Sequence, residues 1–313
     1  MMVYGPVPSR RLGRSLGINN MPPKVCTYSC LYCQAGRTSR LQIERTAFYP
    51  PEEIAAAVFE KVEMLRDIGE SVDYLSFVPN GEPTLDKQFG RIIDLLKPLG
   101  IRIAVITNAS LLWREDVRRE LAMADWVSVK IDSLREDAWR KVDRPHGKLR
   151  LATVLDGITD FAEGYRGDLV TETMLVRDVN DSVSDMKQLG CFLSVLKPLR
   201  SYLGLPLRPP AEQRVEPPSE DVVNRNFRIL CESGIDVELL AEYEDSTFSS
   251  AGSLAENILS ITAVHPLRED AMRALLADAG SDWSLVVRLL AEGKLVETAY
   301  NGIKFYIDRK SVV

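Results

Sequence analysis

The feature that most constrains this 313-residue chain is a repeated rhythm: a short β-branched run, a turn, then a stretch with helical period. The strand-like runs fall at about 15–19, 74–78, 101–107, 126–132, 169–176, 202–206 and 237–241, and the helical patterns between them at 51–68, 87–98, 114–123, 151–163, 182–197 and 219–233. Several helices carry physical start and stop signals. Pro50-Pro51-Glu52-Glu53 puts proline and acids into a first turn, Ser219-Glu220-Asp221 offers a cap followed by acids, and Gly100 and Gly234 stand just past helix ends. Strand and helix alternating in this way imply parallel strands joined by right-handed crossovers, in an open sheet or a full or partial barrel. Chemistry in such folds collects at the C-terminal ends of the strands.

The rhythm breaks near residue 245, where Glu244-Asp245-Ser246-Thr247-Phe248-Ser249-Ser250-Ala251-Gly252-Ser253 is small, polar and turn-rich. This divides the chain into a core at 1–245, a linker at 246–253 and a small domain at 254–313. The small domain reads as helices at 254–262, 267–279 and 282–292, then two β-rich runs around Asn301-Gly302, a strong hairpin signal. Three short helices and a hairpin resemble a winged helix-turn-helix. Seven basic and eight acidic residues from 253 to 313 give this region no electrostatic bias toward nucleic acid.

Five cysteines are an odd count, and three fall within eight residues as Cys26, Cys30 and Cys33, which is not a disulfide framework. Cys191 and Cys231 sit in apolar contexts and read as buried, inert thiols. Structural zinc wants four protein ligands, whereas this chain has two histidines, His146 and His265, both distant from the cysteines. Three thiolates in one compact loop fit a 4Fe–4S cluster with one iron left open. The net charge is −6, yet residues 1–50 carry seven basic side chains against one acid, Glu44. That local excess reads as an anionic ligand near the cysteines or as a solvated basic rim. No apolar run approaches the roughly 18 residues of a membrane-crossing helix, and the opening residues lack the pattern of a secretory signal. The expected location is the cytoplasm, with no membrane partner.

Cys26-Thr27-Tyr28-Ser29-Cys30-Leu31-Tyr32-Cys33, with aromatic Tyr32 directly before the last cysteine, resembles the hallmark loop of the radical S-adenosylmethionine superfamily. The resemblance implies an α/β fold, a partial (β/α)6-type TIM barrel, followed here by the winged-helix-like domain. It implies one 4Fe–4S cluster on the three cysteines, with S-adenosylmethionine chelated to the open iron through its amino and carboxylate groups. Reductive cleavage then releases a 5′-deoxyadenosyl radical that abstracts hydrogen from substrate, and an electron donor of flavodoxin or ferredoxin type supplies the electron. Asn80-Gly81-Glu82-Pro83 resembles the family's Gly-Gly-Glu-Pro turn, with Asn80 in place of the first glycine. Gly81 then allows close approach, Glu82 supplies an acceptor for the methionine ammonium, and Pro83 fixes the exit. Thr107-Asn108 resembles the pair at the next strand end. Ser128, Lys130 and Asp132 alternate on one strand face. Lys130 either pairs with the methionine carboxylate or makes a buried salt bridge with a barrel acid, while Asp132 or Ser128 meets ribose or substrate. Glu172, Arg177, Asn180 and Arg208, at or near later strand ends, are substrate-pocket candidates.

Residues 4–13 and 77–85 further resemble small iron–sulfur oxidoreductases distantly related to wybutosine-synthesis enzymes. No cysteine precedes Cys26 to hold a second N-terminal cluster, so one cluster is expected. Three functions follow as expectations: a radical enzyme acting on a protein or peptide held by the C-terminal domain, an RNA-modifying (transfer-RNA) enzyme, or a non-catalytic iron–sulfur sensor with a DNA-binding winged helix.

Overall fold

The computed structural model describes residues 2–240, 254–264, 266–300 and 302–309. The elements of the core are β1 (Val3–Ser9), β2 (Gly13–Ile18), β3 (Val25–Cys26), β4 (Arg40–Leu41), α1 (Pro51–Asp67), β5 (Tyr74–Phe77), α2 (Phe89–Leu96), β6 (Arg102–Thr107), α3 (Glu115–Leu121), β7 (Trp126–Lys130), α4 (Glu136–Val142), α5 (Leu151–Gly164), β8 (Asp168–Met174), α6 (Val183–Leu196), β9 (Arg200–Gly204), α7 (Glu220–Glu232) and β10 (Val237–Leu240). The main sheet runs β1-β2-β5-β6-β7-β8-β9-β10. All neighbours are parallel except β1, which lies antiparallel to β2 at one edge. The barrel is therefore partial, with seven parallel strands that correspond to the seven strand-like runs of the sequence, and its two edges are β1 and β10.

The strands form from runs that alternate between two faces. In β7, Val127 and Val129 join the main core under the helices, whereas Ser128 and Lys130 share the opposite face, toward the lumen. Helices cover the outside. Helix α1, with Pro51 in its first turn, buries Ile54, Val58, Val62 and Leu65 along one stripe. Because β2 enters at the base of the barrel, the turn before it also sits there. Leu12 from that turn plugs the base against Ala104, Trp126, Val170 and Tyr202. Tyr4 of β1 crosses β2 at Gly17, where an added Cβ would come within 2.1 Å of the ring, and its hydroxyl donates to the Val78 carbonyl at 3.0 Å.

The C-terminal elements are α8 (Leu254–Val264), β11 (Leu267–Arg268), α9 (Glu269–Asp278), α10 (Ser284–Ala291), β12 (Leu295–Tyr300) and β13 (Ile303–Asp308), with sheet order β11-β13-β12. They enclose a second core around Ile258, Met272, Val286 and Tyr306. Helix α8 packs on β1, and the Tyr300 hydroxyl lies 2.9 Å from the carbonyls of both Pro206 and Val215. The proposed linker, 246–253, and Asn301 of the expected hairpin turn lie outside the described residues. Cys191 and Cys231 are exposed rather than buried, because each sits on the outer side of its helix, a phase that its apolar neighbours hid.

Candidate active site

The cysteine loop leaves the C-terminal end of β2 and is tied down on two sides. Toward β5, Val25 bridges Gly81, Lys24 N–H donates to the Asn80 carbonyl at 2.6 Å, and Glu82 N–H donates to the Val25 carbonyl at 3.2 Å. Toward α4, Leu31 N–H donates to Val142 O at 3.0 Å, and Tyr28 packs edge-on against Trp139 with ring centroids 5.9 Å apart. Cys26, Cys30 and Cys33 are each half-buried. Burial pushes the Cys26 thiol up to about 12 and raises Cys30 and Cys33 as well. Ligation to iron would remove those protons and reverse that preference. Among the described residues no three His, Cys, Asp or Glu side chains converge to hold a single ion. A 4Fe–4S cluster makes no such demand, since each of its irons would take one protein thiolate beside the inorganic sulfides, so a loop of three thiols fits that group with one iron left open.

The turn after β5 shows why its residues are needed. A Cβ at Gly81 would fall 2.2 Å from the Val25 carbonyl, so glycine lets the turn pair with the residue beside Cys26. The Glu82 carboxylate is buried and already engaged. Its Oε1 accepts from Thr84 N–H at 3.1 Å and from the hydroxyls of Thr84 and Thr107 at 2.6 Å, and its Oε2 accepts from Asn108 N–H at 2.8 Å. Glu82 thus points into the fold and joins two strand ends. Asn108 donates to Thr27 Oγ1 at 2.7 Å and stands 3.5 Å from Cys26 Sγ. Thr27 also accepts from Ser110 at 2.6 Å. Pro83 opens a short 3-10 turn, and Arg45 clamps it from behind through the carbonyls of Thr84 at 2.9 Å and Asp86 at 2.6 Å.

Lys130 lies in a buried ion pair. Lys130 Nζ stands 3.0 Å from Glu172 Oε1, and Arg11 Nη1 stands 2.6 Å from Glu172 Oε2. Burial raises the Glu172 carboxyl, but Lys130 and Arg11 together outweigh it and hold the group down at about 2. Lys130 also lies over the Tyr32 ring, 4.8 Å from its centroid. The Tyr32 hydroxyl donates to Asp132 Oδ2, while Asp132 Oδ1 accepts from Met174 N–H at 2.7 Å. Ser128 Oγ is buried and has no hydrogen-bond partner among the described residues.

The later candidates divide. Arg208 lines the lumen cavity with Glu172 and donates to Gln34 Oε1 at 3.2 Å. Arg177 instead reaches Glu216 at the surface. Asn180 is fully buried and is spent on the backbone of residues 132, 174 and 176. Both side chains point away from the cavity, because the segment after β8 folds back on itself. Sequence reasoning gave no role to Asp143, whose Oδ1 lies 3.3 Å from Cys30 Sγ, or to Thr27, Ser110 and Arg45. The local basic excess is also largely neutralised in the fold: Arg11, Arg14, Arg37 and Arg45 pair with Glu172, Glu70, Glu212 and the Asp116/Glu120 pair.

Residues 21–189 match the family described as the Radical SAM superfamily. The chain belongs to the radical S-adenosylmethionine superfamily, whose members are enzymes that use a 4Fe–4S cluster and S-adenosylmethionine. Over 308 residues, 98% of this chain and 95% of the relative, it is 41% identical to UPF0026 protein MJ1312 of Methanocaldococcus jannaschii. An S-adenosylmethionine-dependent nucleotide dehydratase of Flammeovirga pacifica is 27% identical over 183 residues, 54% of this chain and 61% of that protein. Among solved structures, a radical SAM methyltransferase from Sphaerobacter thermophilus shares the fold, with a TM-score of 0.56 at 18% identity over 72% of this chain and 66% of that one. Among the described residues no helix is long and apolar enough to cross a membrane.

Proposed function

We propose that this radical SAM enzyme acts on a protein or peptide. The observation that carries the reading is a groove of about 1070 Å³ between the cysteine loop and the C-terminal sheet, lined on one side by Lys24, Gln34 and Arg37 and on the other by residues 296–300 of β12. Five consecutive residues of one strand line it, and β12 is at the edge of its sheet, so backbone as well as side chains meets whatever lies there. The element order helix, strand, helix, helix, strand, strand supports the winged-helix reading of this unit. Cys26, Cys30 and Cys33 would hold the cluster, and the turn at residues 80–83 with Asn108 would seat the cofactor's methionine end. When bound, the cluster supplies one electron to S-adenosylmethionine, which starts hydrogen abstraction; the donor we infer is of flavodoxin or ferredoxin type. The lumen, plugged at its base by Leu12, keeps water and stray hydrogen donors from that end.

Neutralisation of the basic N-terminal segment by distant acids weighs against RNA. The test supplies deuterated total protein or deuterated total RNA from the source cells to the reconstituted enzyme with S-adenosylmethionine and reductant. Deuterium in the 5′-deoxyadenosine formed with protein, and none with RNA, is the expected result. Label from RNA alone would overturn the reading.

A further inference from the structure

The described residues 205–219, which join β9 to α7, form neither helix nor strand. A connection this long without secondary structure is uncommon in a compact fold unless it serves a site or is disordered. This one is ordered by its contacts, and Pro206, Pro209, Pro210, Pro217 and Pro218 narrow the conformations open to it. Its middle is fixed to the cysteine loop. Glu212 N–H donates to the Leu31 carbonyl at 3.0 Å, and Glu212 Oε1 pairs with Arg37 at 2.8 Å and with Arg144 at 2.7 Å. Val215 is buried in a small apolar cluster with Leu31, Tyr32, Val142, Met174 and Val176, against which Cys30 also packs. Leu31 and Tyr32 are the two residues between Cys30 and Cys33. The connection therefore closes over the part of the loop that spaces those two thiols.

Its ends are fixed from much further along the chain. The hydroxyl of buried Tyr300 lies 2.9 Å from the Pro206 carbonyl and 2.9 Å from the Val215 carbonyl, so one group draws both together. Ends brought close in this way make residues 206–215 a compact surface loop of the Ω kind. Tyr300 is the last residue of β12, a strand that packs into the second core through Leu295. We propose that Tyr300 is a positioning residue for the cysteine loop: it holds residues 206–215 closed over Leu31 and Tyr32, and the C-terminal elements thereby limit the access of water and solutes to the thiols of Cys30 and Cys33. This goes beyond the substrate reading above and holds equally for a peptide or an RNA. Reduction would add a negative charge to a cluster held by thiolates, and water stabilises such a charge better than apolar side chains do. Loosening the closure should both admit solutes and move the cluster's midpoint potential to a less negative value.

The test uses Tyr300→Phe, which removes the hydroxyl and keeps the ring. After anaerobic reconstitution with iron and sulfide, its iron content is expected to equal that of the wild type. Removal of that iron by bathophenanthroline disulfonate, which reports how readily the loop opens, is expected to run at least about fivefold faster. A redox titration followed by electron paramagnetic resonance should give a less negative midpoint potential. Glu212→Gln weakens the same closure from its middle and is expected to shift both readings in the same direction. Tyr306→Phe is the comparison, because its hydroxyl donates to Glu297 Oε2 at 2.9 Å within the C-terminal sheet, and it should leave both readings unchanged. An unchanged chelation rate or an unchanged potential in Tyr300→Phe would overturn the proposal. Equal acceleration in Tyr306→Phe would also overturn it, by assigning the effect to a general loosening of the C-terminal elements.

Discussion

Glu82 and Asn108 meet through a hydrogen bond of 2.8 Å, from the Asn108 backbone N–H to Glu82 Oε2, and this contact joins the turn after β5 to the end of β6. Asn108 in turn reaches Thr27 and Cys26. The turn after β5, the next strand end and the cysteine loop therefore form one hydrogen-bonded unit, and disturbing one part should be felt in the others.

Glu82→Ala removes the acceptor for four buried or half-buried donors, at about 1–3 kcal/mol for each group left unsatisfied. We expect a variant that still takes up iron and sulfide but binds S-adenosylmethionine at least tenfold more weakly. Ultraviolet-visible absorption of the cluster and calorimetry of cofactor binding measure the two effects separately.

Gly81→Ala should act in the opposite order. The new methyl group would fall 2.2 Å from the Val25 carbonyl, so the strand leading into Cys26 must move. Iron content per chain after reconstitution is expected to drop below half that of the wild type.

Arg45→Met tests the clamp behind the turn. Its side chain is 4% exposed, bound to Asp116 and Glu120 and to two backbone carbonyls. Removing one partner of a buried ionic network costs about 3–5 kcal/mol. A matching loss in denaturant-derived stability is expected, with unchanged slope.

Asp86, beside this clamp, sets a pH dependence. Burial lifts its carboxyl from 3.8 to about 6, against the opposing pull of hydrogen bonds from Gln88 and Asn20 and of the Arg45 charge. Between those values the folded protein holds a proton that the unfolded chain has released, so this group's contribution to stability falls as pH rises from about 4 to about 6. The contribution is on the order of 2–3 kcal/mol. Asp86→Asn should flatten that part of a stability–pH curve measured by urea unfolding.

The parallel strands were legible because each is a short apolar or β-branched run between turn signals, and all seven runs became strands of the sheet. Strand β1 was not, since Gly5, Pro6 and Pro8 read as breakers, and its pairing depends on Gly17 accepting the Tyr4 ring. Helix α4, Glu136–Val142, was not read either. The cysteines and the turn after β5 could be read locally, as spacing. The burial of Asn180 could not, because its partners reach from residue 176 back to residue 132. Nor could the pairing of the N-terminal arginines, whose acids lie up to 175 positions away, as Glu212 does from Arg37.

The central claim is that three cysteines of one loop support reductive cleavage of S-adenosylmethionine. Its most direct test is anaerobic: reconstitute the wild type and Cys30→Ala with iron and sulfide, add S-adenosylmethionine and a strong reductant, and quantify 5′-deoxyadenosine and methionine by mass spectrometry. The account predicts both products from the wild type and neither from Cys30→Ala, which should also lack the cluster's absorption. Undiminished product from Cys30→Ala would contradict it.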